Sequence, residues 1–277
     1  MSYLDAIILG LVQGLTEFLP VSSSGHLAIL QNLFGIEGDS VVMFTIMLHI
    51  GTLFSVFYMY WKDIKELLVE LVLLIRDIFT GRGLKINERP VRKLGIMIIV
   101  ASIPTAVIGM LLKDVFESFY NSLVPIGIGL IITGALLWAA ETKKSGQKEI
   151  NGMKYSDAIL IGVLQGVAIW PGISRSGSTL VGGLFANLDR DFAVEFAFLI
   201  SIPAILGSLI FETSGGAMSS LEGSVGPVIV GGVLAALSGI FAIKTMIKVV
   251  RKYSLKYFTV YVWIVGLIVL AGSIFKA

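Results

Sequence analysis

The chain has 277 residues, 56% of them hydrophobic and only 14% charged, with a mean hydropathy of +0.90 and a formal net charge of +2. Soluble domains carry roughly 25% charged residues, so the composition excludes a soluble globular protein and indicates an integral membrane protein. Cysteine is absent, which rules out disulfides and thiolate metal sites.

The N-terminus, MSYLD, lacks the basic segment of a cleavable signal peptide, so the first apolar stretch is expected to stay in the mature protein. That stretch, 6–19, is interrupted by Gln13, Thr16 and Glu17 and stops at Pro20. The turn Ser22-Ser23-Ser24-Gly25-His26 follows, then a second short run over 27–36. A crossing needs about 20 apolar residues, so 5–36 suits a re-entrant hairpin better than a span. Spans are predicted near 41–61, 92–112 and 123–141, with 64–79 as an amphipathic interfacial or short packed helix between the first two. A second interrupted run, 158–170, ends at Pro171 and leads through a Ser/Gly-rich turn to 179–187, giving a second hairpin over 157–187. Three more spans are predicted near 192–212, 225–247 and 257–275. Ser102-Ile103-Pro104 and Ser201-Ile202-Pro203 read as kinks beside a cavity.

The hairpins are copies. DAIILGLVQGLTEFLPVSSSGH at 5–26 matches DAILIGVLQGVAIWPGISRSGS at 157–178, an offset of 152 residues. Glu17 faces Ile169, Ser23 faces Arg175 and His26 faces Ser178, so the reactive residues are split between the copies. The expected fold is therefore an all-α integral membrane protein with an inverted-topology repeat over 1–150 and 151–277. Each half is a re-entrant helical hairpin plus three transmembrane helices. Three spans per half invert the second half, the arrangement in which half-helices meet near the midplane. In this topology seventeen of the 21 Lys and Arg fall on one face, in 62–93, 143–154 and 244–256. Positive residues favour the cytoplasm, which puts both termini outside.

Gln13 and Glu17, four apart, project from one helical face, and an ionisable residue at membrane depth faces a cavity or partner. The serine turn can cap the following helix, whose free N–H groups form an anion site. His26 there can serve as base, nucleophile or ligand. In Pro171-Gly172-Ile173-Ser174-Arg175-Ser176-Gly177-Ser178-Thr179, the arginine fork suits phosphate. A structural ion pair of Arg175 with Asp189 or Glu195 is the alternative.

With these motifs the chain resembles the bacterial undecaprenyl-diphosphatase family, the bacitracin-resistance type of membrane phosphatase, over essentially its full length. Gln13-Gly14-Leu15-Thr16-Glu17 matches its Glu/Gln-x-x-x-Glu motif, Pro171 to Thr179 its PGxSRSxxT motif, and His26 its essential histidine. The resemblance implies hydrolysis of the C55 polyprenyl diphosphate to the monophosphate, recycling the carrier for cell-wall polymers, in the bacterial cytoplasmic (inner) membrane. It also implies a divalent cation, Mg2+ or Ca2+, with Glu17 as a metal ligand. Many members have Glu where this chain has Gln13, whose amide oxygen could bind a cation or position water. The expected partners are polyprenyl diphosphate and the bilayer, with no nucleic acid; a homodimer is left open.

On this basis Arg175, Ser174, Ser176 and Thr179 are expected to clamp phosphate, with Gln13, Ser22 and Ser24 also on the substrate. Ser23 is the preferred nucleophile, with His26 as base and Glu17 orienting it or holding the cation. A phosphohistidine at His26 competes with that assignment. A polyprenyl-phosphate flippase or transporter using the same cavity is the alternative function.

Overall fold

The computed structural model describes residues 2–36, 39–143, 146–213 and 225–276. Regular structure there is helical, apart from one isolated backbone pairing between Lys148 and Leu188. Twelve helices are described: α1 Tyr3–Phe18, α2 Ser23–Phe34, α3 Asp39–Met59, α4 Trp61–Phe79, α5 Pro90–Leu111, α6 Lys113–Ser118, α7 Leu123–Glu141, α8 Tyr155–Val167, α9 Arg175–Phe185, α10 Arg190–Thr213, α11 Val225–Lys252 and α12 Lys256–Lys276. α5, α7, α10, α11 and α12 are long and apolar enough to cross a membrane. The remaining predicted span, 41–61, is α3, which bends by 85° into α4.

α4 begins three residues before the predicted amphipathic segment. It buries Ile64 and Asp77 and leaves Leu68, Val69, Val72, Ile75 and Ile78 exposed, as a helix lying in the bilayer interface would. Buried ion pairs fasten it to α5: Arg92 donates to Glu70 Oε2 at 3.0 Å and to Asp77 Oδ2 at 2.9 Å. The short helix α6 after α5 has no counterpart in the sequence reading.

The predicted hairpins are α1–α2 and α8–α9. A 16-residue α1 and a 13-residue α8 reach about 24 and 20 Å at 1.5 Å per residue, short of a hydrocarbon core of about 30 Å. Each first helix packs on a long span from the other half: α1 on α11, and α8 on α5. Small residues permit this. A Cβ on Gly10 would lie 2.5 Å from the Gly231 carbonyl oxygen, and one on Gly162 would lie 2.0 Å from that of Ala101. α7 and α12 pair along their lengths. The main apolar core lies between the hairpins and α10, with Phe18, Leu180, Phe196 and Phe198 all buried.

Candidate active site

The hairpin tips supply the reactive side chains. Pro20 lacks an N–H and cannot continue α1, so Glu17 sits in its last turn. The chain then turns at Ser22, with φ 71° and ψ 95°, a conformation that costs a non-glycine residue about 1–3 kcal/mol. Local hydrogen bonds hold it. Ser22 Oγ accepts from the Gly25 N–H at 3.2 Å, and the Ser22 carbonyl accepts from the His26 N–H at 3.2 Å. Ser23 is thereby placed at the first position of α2.

The second tip is built alike. Gly172 has φ 95°, and a Cβ there would lie 2.2 Å from the Ile126 carbonyl oxygen, so glycine is required. Thr133 on α7 donates to the Gly172 carbonyl and accepts from the Ser174 N–H, both at 2.9 Å. Ser174 caps α9 by accepting from the Gly177 N–H at 3.1 Å, which sets Arg175 at the helix start.

The tips interlock: Ser176 Oγ donates to the Leu19 carbonyl at 3.0 Å, and the Gly172 N–H reaches Ser24 Oγ at 3.4 Å. At their junction Arg175 Nη2 donates to Glu17 Oε1, rather than pairing with Asp189 or Glu195. Glu17 Oε2 accepts from the Ser23 hydroxyl at 2.5 Å and from Gln13 Nε2 at 3.0 Å. The Glu17 side chain is 2% exposed and that of Arg175 23%. Gln13 Oε1 is buried and has no hydrogen-bond partner.

Gln13, Glu17, Ser23 and Arg175 thus form one network from both copies of the duplicated segment. His26 stands beside it. Its Nδ1 lies 2.7 Å from the Ser22 carbonyl and its Nε2 2.7 Å from the Tyr261 hydroxyl, whereas Ser23 gives its proton to Glu17. The other predicted hydroxyls are engaged within the protein. Besides the Ser22 and Ser174 caps and the Ser176 tie, Ser24 lies 3.3 Å from Ser22 Oγ, and Thr179 donates to the Arg175 carbonyl at 3.0 Å. Two residues here escaped the sequence reading. Thr133 lies in an apolar span without a motif, and Tyr261 reads as an ordinary aromatic of the last span.

What the arrangement offers is a hydroxyl at a helix start, a carboxylate to receive its proton, and a guanidinium for an anion. The family described as "Bacitracin resistance protein BacA" matches residues 6–268. Among similar curated proteins, the undecaprenyl-diphosphatase of Alkaliphilus metalliredigens (strain QYMF) is 51% identical over 275 residues, 99% of this chain and 100% of that protein. The protein of the same name from Carboxydothermus hydrogenoformans is 44% identical, over 98% of this chain and 97% of its own. That of Methanosphaera stadtmanae is 38% identical, over 99% of both.

Proposed function

The chain belongs to the bacitracin resistance protein BacA family, and we propose that it hydrolyses undecaprenyl diphosphate to undecaprenyl phosphate and inorganic phosphate. The observation that carries this reading is the single network of Ser23, Glu17 and Arg175 at the meeting of the two hairpins. Relatives named undecaprenyl-diphosphatase that match along their whole length supply the substrate.

In the resting network Glu17 accepts from three donors, Arg175, Ser23 and Gln13. The terminal phosphate competes for Arg175, whose planar fork matches phosphate oxygens. As Arg175 turns to the phosphate, Glu17 loses its counter-charge and can take the proton of Ser23, already 2.5 Å away. Ser23 Oγ then bonds to the terminal phosphorus while the bond from that phosphorus to the bridging oxygen breaks, releasing the lipid monophosphate. Water cleaves the phosphoserine, restores the serine hydroxyl and releases phosphate. Arg175 and the first N–H groups of α2 and α9 stabilise charge on the transferring group.

The family resemblance implies Mg2+ or Ca2+. No three His, Asp or Glu side chains gather as a metal cage among the described residues. Glu17 and the unpartnered Gln13 Oε1 do fit as two ligands of a cation that arrives on the diphosphate, since Mg2+ commonly takes one or two carboxylates plus substrate phosphates. Bound there, it would offset phosphate charge.

The same reading places this multi-pass protein in the bacterial cytoplasmic membrane, with both termini outside and halves 1–150 and 151–277 inverted. The lysine and arginine distribution supports the orientation. The reciprocal packing of α1 on α11 and α8 on α5 supports the repeat.

The test is phosphate release from undecaprenyl diphosphate by purified protein in detergent, with and without chelator, followed by mapping of the trapped phosphoenzyme. Phosphate on Ser23 is expected. Phosphate on His26 would replace the nucleophile, and no release would overturn the function.

A further inference from the structure

His26 is tied to a residue on the far side of the chain. Tyr261 lies on α12, 235 residues further on, with its hydroxyl 2.7 Å from His26 Nε2. The two rings are nearly parallel, 6° apart, with centroids separated by 5.6 Å. The second ring nitrogen fixes the proton. Nδ1 lies 2.7 Å from the Ser22 carbonyl, and a carbonyl oxygen only accepts, so Nδ1 carries hydrogen. In the neutral ring Nε2 is then the acceptor and the Tyr261 hydroxyl the donor.

α12 lies chiefly along α7, and α2 lies against α1 and α7. A small apolar cluster around Leu130 joins Ile29 of α2 to Phe258, Val262 and Val265 of α12. Tyr261 is 44% exposed on the outer side of its helix, near exposed Val260 and Ile264. The hydrogen bonds of the imidazole come from the strained Ser22 turn and from this hydroxyl.

We infer that Tyr261 is a positioning residue, whose hydroxyl holds His26 with Nδ1 protonated and Nε2 as the acceptor, in the gap between α2 and α12. Its part in turnover rests on the phosphatase reading given above. A phenol serves the imidazole in either protonation state, because it donates to neutral Nε2 and accepts from Nε2–H. Without it, the imidazole keeps its tie to Ser22 but is free to tilt, and Nε2 loses the donor that fixes its direction. His26 matches the essential histidine of the family motif, so the deficit is expected in kcat and not in lipid capture.

Tyr261→Phe keeps the ring and removes the donor. The chain has two histidines, His26 and His49, so nitrogen-15 labelling of histidine gives two imidazole spin systems, which His49→Gln assigns. In the unsubstituted protein His26 should show the Nδ1–H tautomer with a hydrogen-bonded Nε2. In Tyr261→Phe the Nε2 resonance should move toward that of an acceptor without a donor. Phosphate release should fall about 3- to 10-fold in kcat, the scale of one lost hydrogen bond, with KM and the unfolding temperature in detergent unchanged. An Nε2–H tautomer in the unsubstituted protein would overturn the inference, as would His26 signals indifferent to Tyr261→Phe or a fall confined to KM. If the unsubstituted protein released no phosphate, the function would fall while the resonances still reported on the tautomer.

Discussion

Arg175 and Glu17 each satisfy the other's charge inside the membrane, and that dependence makes their substitutions separable by measurement. Arg175→Ala should lower phosphate release by about 10²–10³-fold, the usual loss for one charge-stabilising donor. Arg175→Lys should not rescue it, because an ammonium lacks the fork. The alanine variant also strands a carboxylate that is 2% exposed, and breaking a buried pair costs about 3–5 kcal/mol. Adding Glu17→Gln should recover much of that stability in a thermal unfolding series and none of the phosphate release. Recovery of both would show that the pair is structural alone. At this scale the sequence revealed residue types well and their partners less well. Glu17 and Arg175 stand out because charge in apolar segments is expensive. Ser176 looks like a phosphate ligand in the motif yet donates to the Leu19 carbonyl, and the positive φ of Ser22 has no composition signature.

At the scale of elements, helix positions follow from apolar run length and the prolines, so the five span-length helices, α3 and the two pairs of short helices were legible. Which helix packs on which was not. The glycines that permit α1 to meet α11 are spaced as many glycines in membrane helices are, without naming a partner. They do predict a cost. A Cβ at Gly14 would lie 2.0 Å from Ser238 Oγ, which can rotate away, but also 2.3 Å from the Ala235 carbonyl oxygen, which cannot. Gly14→Ala should therefore destabilise by about 1–3 kcal/mol, as overpacking does, and lower turnover by moving Glu17 three residues later. Gly95→Ala, whose Cβ would meet only Leu67 Cδ2 at 3.4 Å, should leave both near the starting value. Equal unfolding temperatures for the two variants would refute the argument.

α4 gives a pH-dependent prediction on the same scale. The Arg92 hydrogen bond holds the Asp77 carboxyl below the usual carboxylate range. A group whose pKa is depressed by folding contributes stability above its unfolded value of about 3.9, and that contribution is lost as pH falls toward the folded value. Acidification should thus loosen α4 from α5, read as faster hydrogen exchange in peptides from 61–79 after correction for intrinsic rates. Asp77→Asn should show the faster exchange already at neutral pH; protection equal to the unsubstituted chain would dismiss the ion pairs as the fastening.

For the whole molecule, the proposed inverted repeat brings two short hairpins in from opposite faces to meet at their tips, neither being long enough to cross alone. The meeting itself is given by the Ser176–Leu19 and Arg175–Glu17 contacts. The proposed direction of entry rests on charge: residues 62–93 and 143–154 are rich in Lys and Arg, whereas Lys113 is the one Lys or Arg of the 112–122 connection. The native chain has no cysteine, so single cysteines report topology without background. Asn121→Cys should react with a membrane-impermeant maleimide on intact cells. Arg82→Cys and Glu149→Cys should react only after permeabilisation. Arg82 follows the first proposed span and Glu149 precedes the second hairpin, so their common protection is what an odd number of spans between the two hairpins requires. If Glu149→Cys were labelled on intact cells while Arg82→Cys was not, the second hairpin would enter from the same face as the first, and the inverted repeat would be refuted.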